Sequence, residues 1–287
     1  MRVTRNSTIS SVSDPALETR PAIPAAPPAR PDPGAVAGLP VRPVDIEARG
    51  LGRQFGETPV FSDIGFRLAR GESVALVGAN GAGKSTLLRC LMGLIPVSSG
   101  RVSLLGTDPN TARGPDLRRL RARVGLVSQK HNLVPRLSVL SNVLHGLLGK
   151  APGPRHWSHA LAPRASRAAA MAALDRVGLA DFALRRADRL SGGQSQRVAI
   201  ARAIVGDPEV LFADEPCASL DPAAGEDVMD LFFRLVRDKG VTVVFTSHNV
   251  DHALRYGDRV LGLAGGRLQL DATAASLSAA TLRGLYD

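Results

Sequence analysis

The chain has few cysteines, few aromatic residues and no long apolar run. Only two of its 287 residues are cysteine, which excludes a disulfide-stapled scaffold and favours small buried side chains at Cys90 and Cys217 in a reducing compartment. No apolar stretch approaches the roughly 20 residues that a bilayer-spanning helix needs. The first six residues, MRVTRN, lack the apolar region of a signal peptide. We therefore expect a soluble protein that makes any membrane attachment through a partner.

Positive charge is in excess, with 36 lysines and arginines against 26 acidic residues and a net charge of +10. Such a balance suits nucleic acid or an anionic lipid surface, or it serves solubility. Aromatic residues make up only 4% of the chain, and the arginines stand singly on predicted helices without aromatic neighbours to stack on bases. We interpret the charge as solvated helix faces and expect no direct nucleic-acid partner.

Proline and alanine dominate residues 1–43, where nine prolines stand among few residues that could build a core. This composition predicts a disordered or polyproline-like tail. A docking segment for a proline-reading domain and a misassigned start codon are the alternatives. The composition becomes typical of a globular domain at Val44, so the predicted domain begins at that residue.

Strand-like segments alternate with helical ones from Val44 onward. The runs Val210–Ala213 and Val241–Phe245 are continuously apolar, as a parallel sheet buried on both faces requires. A long insert with helices predicted over 139–148, 166–177 and about 192–206 separates two of the strands. The predicted strands are 44–49, 60–68, 73–77, 101–105, 124–128, 210–214, 241–247 and 259–263.

A glycine loop follows the predicted strand 73–77 and precedes a helix that begins at Thr86. Its pattern, G-x-x-x-x-G-K-[ST], cradles phosphates when it joins a strand to a helix, as it does here. Glycines let the backbone wrap closely round a polyphosphate, and the N–H groups and the helix dipole face the anion. Lys84 reaches the β- and γ-phosphates and Ser85 is placed for Mg²⁺. The loop consists of Gly78, Ala79, Asn80, Gly81, Ala82, Gly83, Lys84 and Ser85.

Two more motifs lie in the second half of the chain. The sequence Leu-Ser-Gly-Gly-Gln at Leu190–Gln194, called here the signature segment, stands about twenty residues before an apolar strand that ends in Asp214 and Glu215. That strand brings Asp214 to the edge of the sheet beside the phosphate loop, where it can hold Mg²⁺ through water. Glu215, one residue on, can take a proton from an attacking water.

In this order, the motifs resemble the ATP-binding-cassette (ABC) ATPases. The resemblance covers about residues 44–270 and includes Ser219-Leu220-Asp221, the later His248, and Gln129, which is similar to that family's Q-loop glutamine. It implies an α/β P-loop NTPase fold with a mixed sheet core, an antiparallel β subdomain and a helical subdomain inserted at about 130–207. A helical tail over 271–287 would follow this ATPase domain.

The resemblance also implies a dimer of two identical cassettes that meet head to tail. Each ATP would lie between one phosphate loop and the signature segment of the other copy. A glycine-rich helix start supplies N–H donors and a positive dipole to the γ-phosphate, which agrees with that arrangement. Such an isologous pair has two composite sites related by twofold symmetry.

Site roles follow from the same resemblance. Phe55 would stack on adenine, with core packing as the alternative, and Asp221 would contact the partner's phosphate loop. The implied catalytic residues are Glu215, His248 and Gln129, and the implied Mg²⁺ ligands are Ser85, Gln129 and Asp214. The implied nucleotide-binding residues are Phe55, Gly78, Ala79, Asn80, Gly81, Ala82, Gly83, Lys84, Ser85, Thr86, Ser191, Gly192, Gly193, Gln194 and Asp221.

Three stretches, 132–144, 177–183 and 250–256, are similar to the ATP-binding subunits of phosphonate importers. This similarity implies an ATPase that energises uptake of phosphonate or a related phosphorus oxyanion, with ATP and Mg²⁺ as cofactors. Its partners would be integral-membrane permease subunits and, indirectly, a periplasmic or extracellular solute-binding protein, at the cytoplasmic face of the plasma membrane. The alternatives are another transporter branch, for a different solute or for export, and a soluble cassette that acts on nucleic acid or ribosomes.

Overall fold

Two β-sheets organise the part of the chain that a computed structural model describes, which is residues 42–151, 153–218 and 220–284. Most of the predicted tail, up to residue 41, lies outside the described residues, as do Ser219 and residues 285–287. The strands are β1 (Val44–Phe55), β2 (Thr58–Ala69), β3 (Ser73–Val77), β4 (Ser99–Leu104), β5 (Val124–Val127), β6 (Val210–Ala213), β7 (Thr242–Thr246), β8 (Arg259–Ala264) and β9 (Arg267–Thr273).

Eight α-helices accompany these strands within the described ranges. They are α1 (Lys84–Leu91), α2 (Gly114–Ala122), α3 (Val139–Leu144), α4 (Arg164–Arg176), α5 (Gly192–Ile204), α6 (Pro222–Arg237), α7 (Val250–Tyr256) and α8 (Ala279–Arg283). Within the same ranges, no helix has both the length and the apolar character that a bilayer span requires.

The larger sheet has six strands in the order β5-β6-β7-β3-β8-β9, and only β9 runs antiparallel to its neighbour. The side chains of β3, β6 and β7 are buried on both faces. Val74 and Phe212 pack with α1 and the smaller sheet, whereas Ala75 and Leu211 pack on the opposite face with α5 and α6. This two-sided burial explains the continuously apolar strands in the sequence.

The smaller sheet is antiparallel, with the order β2-β1-β4. Together the two sheets confirm the predicted mixed α/β fold with an antiparallel β subdomain.

The helical insert lies between the adjacent parallel strands β5 and β6, and its helices α3, α4 and α5 pack against one another. Ser138 begins α3, since its hydroxyl accepts a hydrogen bond from the Ser141 N–H at 3.1 Å. The helix predicted over 139–148 is shorter than expected. The α-helix ends at Leu144, and a 3₁₀ turn over His145–Leu147 follows it.

The sequence analysis missed β9, which forms a hairpin with β8. Gly265 and Gly266 join the two strands with φ values of 56° and 70°, the conformation that a tight hairpin turn needs. The strand runs to Thr273, past residue 270, at which the predicted domain ended. Its alternating, half-exposed pattern is typical of an edge strand.

Four neighbouring parallel strands, β5, β6, β7 and β3, place the candidate residues. Their carboxyl ends lie at one edge of the sheet, where open α/β sheets bind ligands. Gln129 follows β5, Asp214 and Glu215 follow β6, and His248 follows β7. The phosphate loop follows β3, so the fold gathers the predicted site from distant parts of the sequence.

Candidate active site

The backbone conformation of the phosphate loop requires glycine at two positions, 78 and 83. Gly78 has a φ of 143°, and a Cβ atom there would lie only 2.1 Å from the main-chain oxygen of Leu263 on β8. Gly83 has a φ of 98° and immediately precedes α1 without a side-chain cap. The first N–H groups of α1 therefore remain as donors at the mouth of the loop, as an anion site requires. Asn80 and Gly81 form the exposed tip of the loop.

Lys84 is buried inside the loop, with 5% of its surface exposed. Its ammonium donates to the main-chain oxygens of Gly78 at 2.7 Å and Ala79 at 2.9 Å. Burial lowers the pKa of Lys84, while the carboxylates of Glu215 and Asp214 act in the opposite direction. A buried cation thus lies where phosphate oxygens would compensate its lost hydration.

Asp214 joins the loop to the next strands. Its Oδ1 accepts hydrogen bonds from Ser85 Oγ at 2.9 Å and from Thr246 Oγ1 at 3.0 Å. The Asp214 N–H donates to the Val127 oxygen on β5 at 2.8 Å. The carboxylate is buried and fixed at the sheet edge, so it and the Ser85 hydroxyl present neighbouring oxygen atoms.

Glu215 is held on both carboxylate oxygens by residues that follow two other strands. Gln129 Nε2 donates to Oε2 at 2.9 Å, and His248 Nε2 bonds to Oε1. Glu215 itself has a φ of 49°, an uncommon conformation for a residue with a side chain. The structure therefore brings together the three residues that the sequence predicted as catalytic.

Thr246, which the sequence analysis missed, connects the two acidic residues. Its hydroxyl accepts from the Glu215 N–H at 2.8 Å and donates to Asp214 at 3.0 Å. The side chain is fully buried. A hydroxyl at the end of a parallel strand, beside a strand that ends in an acidic pair, was the available signal.

The signature segment opens α5 through a capping box. Ser191 Oγ accepts from the Gln194 N–H at 3.2 Å, and Gln194 Oε1 accepts from the Ser191 N–H at 3.1 Å. No hydrogen bond among the described residues links this segment to the phosphate loop of the same chain. Gly192 and Ser191 are exposed, so the helix start faces outward.

Two further predicted residues form no hydrogen bond with the Glu215 cluster within the described part of the chain. Asp221 caps α6 by accepting from the Ala224 N–H at 3.0 Å, and Ser219 of the same motif lies outside the described residues. Phe55 ends β1 and is 49% exposed, which rules out the alternative that it is a core side chain. The guanidinium carbon of Arg53 lies 4.3 Å from the centre of its ring.

Comparison with known proteins agrees with these motifs. The family model described as ABC transporter matches residues 61–218. The phosphate-import ATP-binding protein PhnC of Mycolicibacterium smegmatis is 50% identical over 85% of this chain and 92% of its own length. The phosphonates import ATP-binding protein PhnC of Nocardia farcinica is 48% identical over 85% and 90%.

A solved structure is similar as well. The dimeric ATP-binding cassette MJ0796, in a post-hydrolysis state bound to ADP and Pi, superposes with a TM-score of 0.69. It is 30% identical, and the match covers 80% of this chain and 98% of that one.

Proposed function

The chain belongs to the ABC transporter family, and we propose that it is the ATP-hydrolysing subunit of an importer for phosphonate or a related phosphorus oxyanion. Relatives named for phosphate import and for phosphonates import match most of the chain at similar identity. Both solutes are tetrahedral phosphorus oxyanions, so the proposal states that shared class.

The phosphate loop supports ATP as the nucleotide. The free N–H groups at the start of α1 and the buried Lys84 ammonium provide donors and positive charge for the phosphates. Phe55, exposed at the end of β1, offers an aromatic face for adenine. These groups bind the two chemically different ends of the nucleotide.

Ser85 and Asp214 fit a magnesium ion. Their oxygen atoms lie 2.9 Å apart, and Mg²⁺ is usually held by one or two carboxylates together with substrate phosphates. Phosphate oxygens and water would complete the coordination of such an ion. Because Gln129 uses its Nε2 on Glu215, its amide oxygen is the atom available to the metal. Mg²⁺ there would neutralise charge on the phosphates.

The proposal that the chain hydrolyses ATP rests on one observation, which is that Gln129 and His248 both bond to the carboxylate of Glu215. Glu215 would accept a proton from the attacking water as general base. Gln129 and His248 fix the carboxylate from two sides, and His248 would also bond the γ-phosphate.

The exposed start of α5 supports a second copy of the chain as partner. Ser191 and Gly192 are exposed, and the N–H groups of this helix start would reach the γ-phosphate bound by the other subunit. Asp221 would contact the partner's phosphate loop in the same head-to-tail dimer. ATP would close this dimer and hydrolysis would reopen it.

The proposed assembly lies at the cytoplasmic face of the membrane, attached through permease subunits. The segment around Gln129–Asn142 would move permease helices, because it links the Glu215 cluster to α3 of the helical insert. A solute-binding protein would deliver the oxyanion to the permease from the other side.

Glu215→Gln tests the catalytic assignment, since the amide keeps the shape of the side chain but cannot act as a base. We expect ATP binding to be kept, turnover to fall by about 100-fold or more, and a nucleotide-bound dimer to accumulate. Unchanged hydrolysis in this variant would remove Glu215 from the mechanism.

The solute is tested in vesicles that contain the full transporter with its solute-binding protein. Phosphonate-loaded or phosphate-loaded binding protein should stimulate ATP hydrolysis, whereas sulfate should not. Stimulation by a solute without phosphorus would instead support another transporter branch.

A further inference from the structure

A pocket of about 350 Å³ lies beside the Glu215 cluster and is lined in part by Cys217, Glu226 and His252. The proposed hydrolysis uses none of these three residues. Cys217 was expected to be buried like Cys90, but it is only half-buried and forms part of the pocket wall. The pocket therefore presents a thiol and an imidazole next to a catalytic centre that does not need them.

The three side chains form a chain of contacts. Cys217 Sγ lies 3.8 Å from His252 Nδ1, and His252 Nε2 lies 2.6 Å from Glu226 Oε1. Since a carboxylate accepts hydrogen bonds, the Nε2 atom that faces Glu226 bears a hydrogen, and in the neutral ring the Nδ1 lone pair would then face the thiol.

Glu226 is itself held in place by the residues beyond it. Its Oε2 accepts from Arg255 Nη1 at 3.0 Å and from the Tyr256 hydroxyl at 3.4 Å. The His252 ring is buried between Glu226 and the pocket, so its orientation is fixed.

This arrangement has the geometry of a metal-binding histidine. Histidine ligands usually donate their other ring N–H to a carboxylate, which fixes the ring and raises its basicity as a ligand. With Zn–S near 2.3 Å and Zn–N near 2.0–2.1 Å, sulfur and nitrogen ligands of a tetrahedral zinc ion lie about 3.6 Å apart. The observed 3.8 Å between Cys217 and His252 is close to that separation.

We propose that Cys217 and His252 bind a zinc ion, with Glu226 as the carboxylate that orients the histidine. Zinc replaces the thiol proton, which passes to solvent, and forms bonds to the thiolate sulfur and to Nδ1. Because no third protein ligand is gathered within the described residues, water or a pocket group fills the other positions. The site is therefore open and reversible, unlike a structural zinc site with four protein ligands.

The charge of the pocket supports a cation. Burial, together with the negative charges of Glu226 and Glu215, raises the pKa of Cys217 to about 11. Glu215, Asp221 and His248 also line the pocket, and Arg255 binds the far oxygen of Glu226. A positive ion beside the sulfur would lower the pKa of the thiol again. Because protons and zinc compete for the sulfur, zinc affinity should increase as pH rises.

Zinc at this position should inhibit hydrolysis, and this part rests on the proposed function. Cys217 lies two residues after Glu215 in the chain, so a metal bond on its sulfur would restrain the segment that carries the general base. Micromolar free Zn²⁺, buffered in the presence of excess Mg²⁺ and ATP, should therefore reduce turnover of the full chain.

Cobalt(II) tests binding without requiring hydrolysis, because thiolate ligation gives Co²⁺ a near-ultraviolet charge-transfer absorption. The nucleotide-free full chain should develop this band with one equivalent of Co²⁺. Cys217→Ser should abolish it, and Glu226→Gln should weaken binding by about 10- to 100-fold. Cys90→Ala, which removes the other, fully buried cysteine, is the matched control and should keep the band. A band that persists in Cys217→Ser, or no band in the unaltered chain, overturns the site.

The ATPase assay separates this proposal from the proposed function. Cys217→Ser should keep basal hydrolysis and lose its inhibition by Zn²⁺. Equal inhibition of both proteins would overturn inhibition through Cys217 while leaving cobalt binding to be judged on its own. Absence of ATP hydrolysis in the unaltered chain would contradict the proposed function, and the cobalt result would still decide the metal site.

Discussion

Arg202 and Asn132 are joined by a hydrogen bond of 2.7 Å, from the guanidinium Nη1 to the main-chain oxygen. The other guanidinium nitrogen, Nη2, donates to the oxygen of His131 at 2.5 Å. His131 and Asn132 have φ values of 54° and 49°, a left-handed conformation that is costly for residues with side chains. Arg202 on α5 thus stabilises the strained turn that follows Gln129, and it connects this turn to the helix that the signature segment opens.

Arg202→Met should separate the catalytic rate from nucleotide affinity. The loss of a charge-assisted hydrogen bond should lower the free energy of unfolding by about 1.5–3 kcal/mol. The kcat for ATP hydrolysis should fall because Gln129 loses its fixed position against Glu215. The KM for ATP should change little, since the phosphate loop is untouched. Steady-state kinetics and denaturant unfolding measure the two effects.

Two variants control for charge and for helix packing. Arg202→Lys keeps the charge but lacks the rigid, planar fork of the guanidinium, so its kcat should be intermediate. Arg118→Met on α2 removes an exposed arginine and should leave both kinetics and stability unchanged. An unaltered kcat in Arg202→Met would contradict the link between this turn and Gln129.

Thr246→Val tests the hydroxyl that joins the two acidic residues. Valine keeps the shape and the β propensity of the side chain but removes the bonds to Asp214 and to the Glu215 N–H. We expect a loss of about 1–3 kcal/mol in unfolding free energy, because the buried N–H of Glu215 is left without its partner. Hydrolysis should also decrease, since the backbone that positions Glu215 is no longer held.

Thr246→Ser is the matched control, as it keeps the hydroxyl and loses only a methyl group. It should retain most of the hydrolysis rate that Thr246→Val loses. If Thr246→Val hydrolyses ATP as fast as the unaltered chain, or Thr246→Ser loses as much activity as Thr246→Val, the bridging role of the hydroxyl is wrong.

Much of the fold could be predicted from the sequence because its strongest patterns are local. All eight predicted strands are present, and the continuously buried runs of β3, β6 and β7 reflect a sheet that is covered on both faces. The family resemblance and the mixed α/β fold are confirmed. The order of motifs also placed Gln129, Glu215 and His248 after strands, and parallel strands bring such positions to one edge.

The features that were missed depend on contacts between distant residues. Thr246 has only a hydroxyl at the end of a strand as a local signal, and its role depends on Asp214 and Glu215, which follow the neighbouring strand β6. Cys217 and His252 are 35 positions apart and meet where α7 lies beside the start of α6. β9 had a local signal in Gly265-Gly266, but its residues are half-exposed and weakly apolar.

Lys84→Met should weaken ATP binding, because it removes a buried ammonium from the phosphate loop. Hydrogen bonds to charged groups contribute about 1.5–3 kcal/mol, which corresponds to roughly 10- to 150-fold in Kd. A fluorescent ATP analogue measures this change by equilibrium titration. Normal affinity would contradict the assignment of the loop.

The same residue predicts how ATP affinity depends on pH. Burial lowers the pKa of Lys84 in the free protein, whereas bound phosphates favour the charged ammonium and raise it. Binding then takes up a proton at alkaline pH, so affinity is full below the lowered pKa and declines as pH rises through it. Lys84→Met should not show this alkaline decline, and Lys84→Arg should shift it upward, since arginine stays protonated.

Phe55→Ala should weaken the adenine end of the site alone. Stacking of a base on an aromatic side chain contributes about 1–3 kcal/mol, so the affinity for ATP should fall by that amount. Inorganic triphosphate, which has no base, should bind to the variant as it does to the unaltered chain. Because the ring is 49% exposed, the free energy of unfolding should change by no more than about 0.5 kcal/mol.

Phe55→Trp provides the matched control, since a larger aromatic face should retain or strengthen ATP binding. The decisive comparison is the ratio of ATP affinity to triphosphate affinity in each variant, because it cancels any change in the phosphate loop. An equal loss for both ligands in Phe55→Ala would mean that the ring supports the fold of the loop. Stacking on adenine would then be the wrong explanation for its exposure at the end of β1.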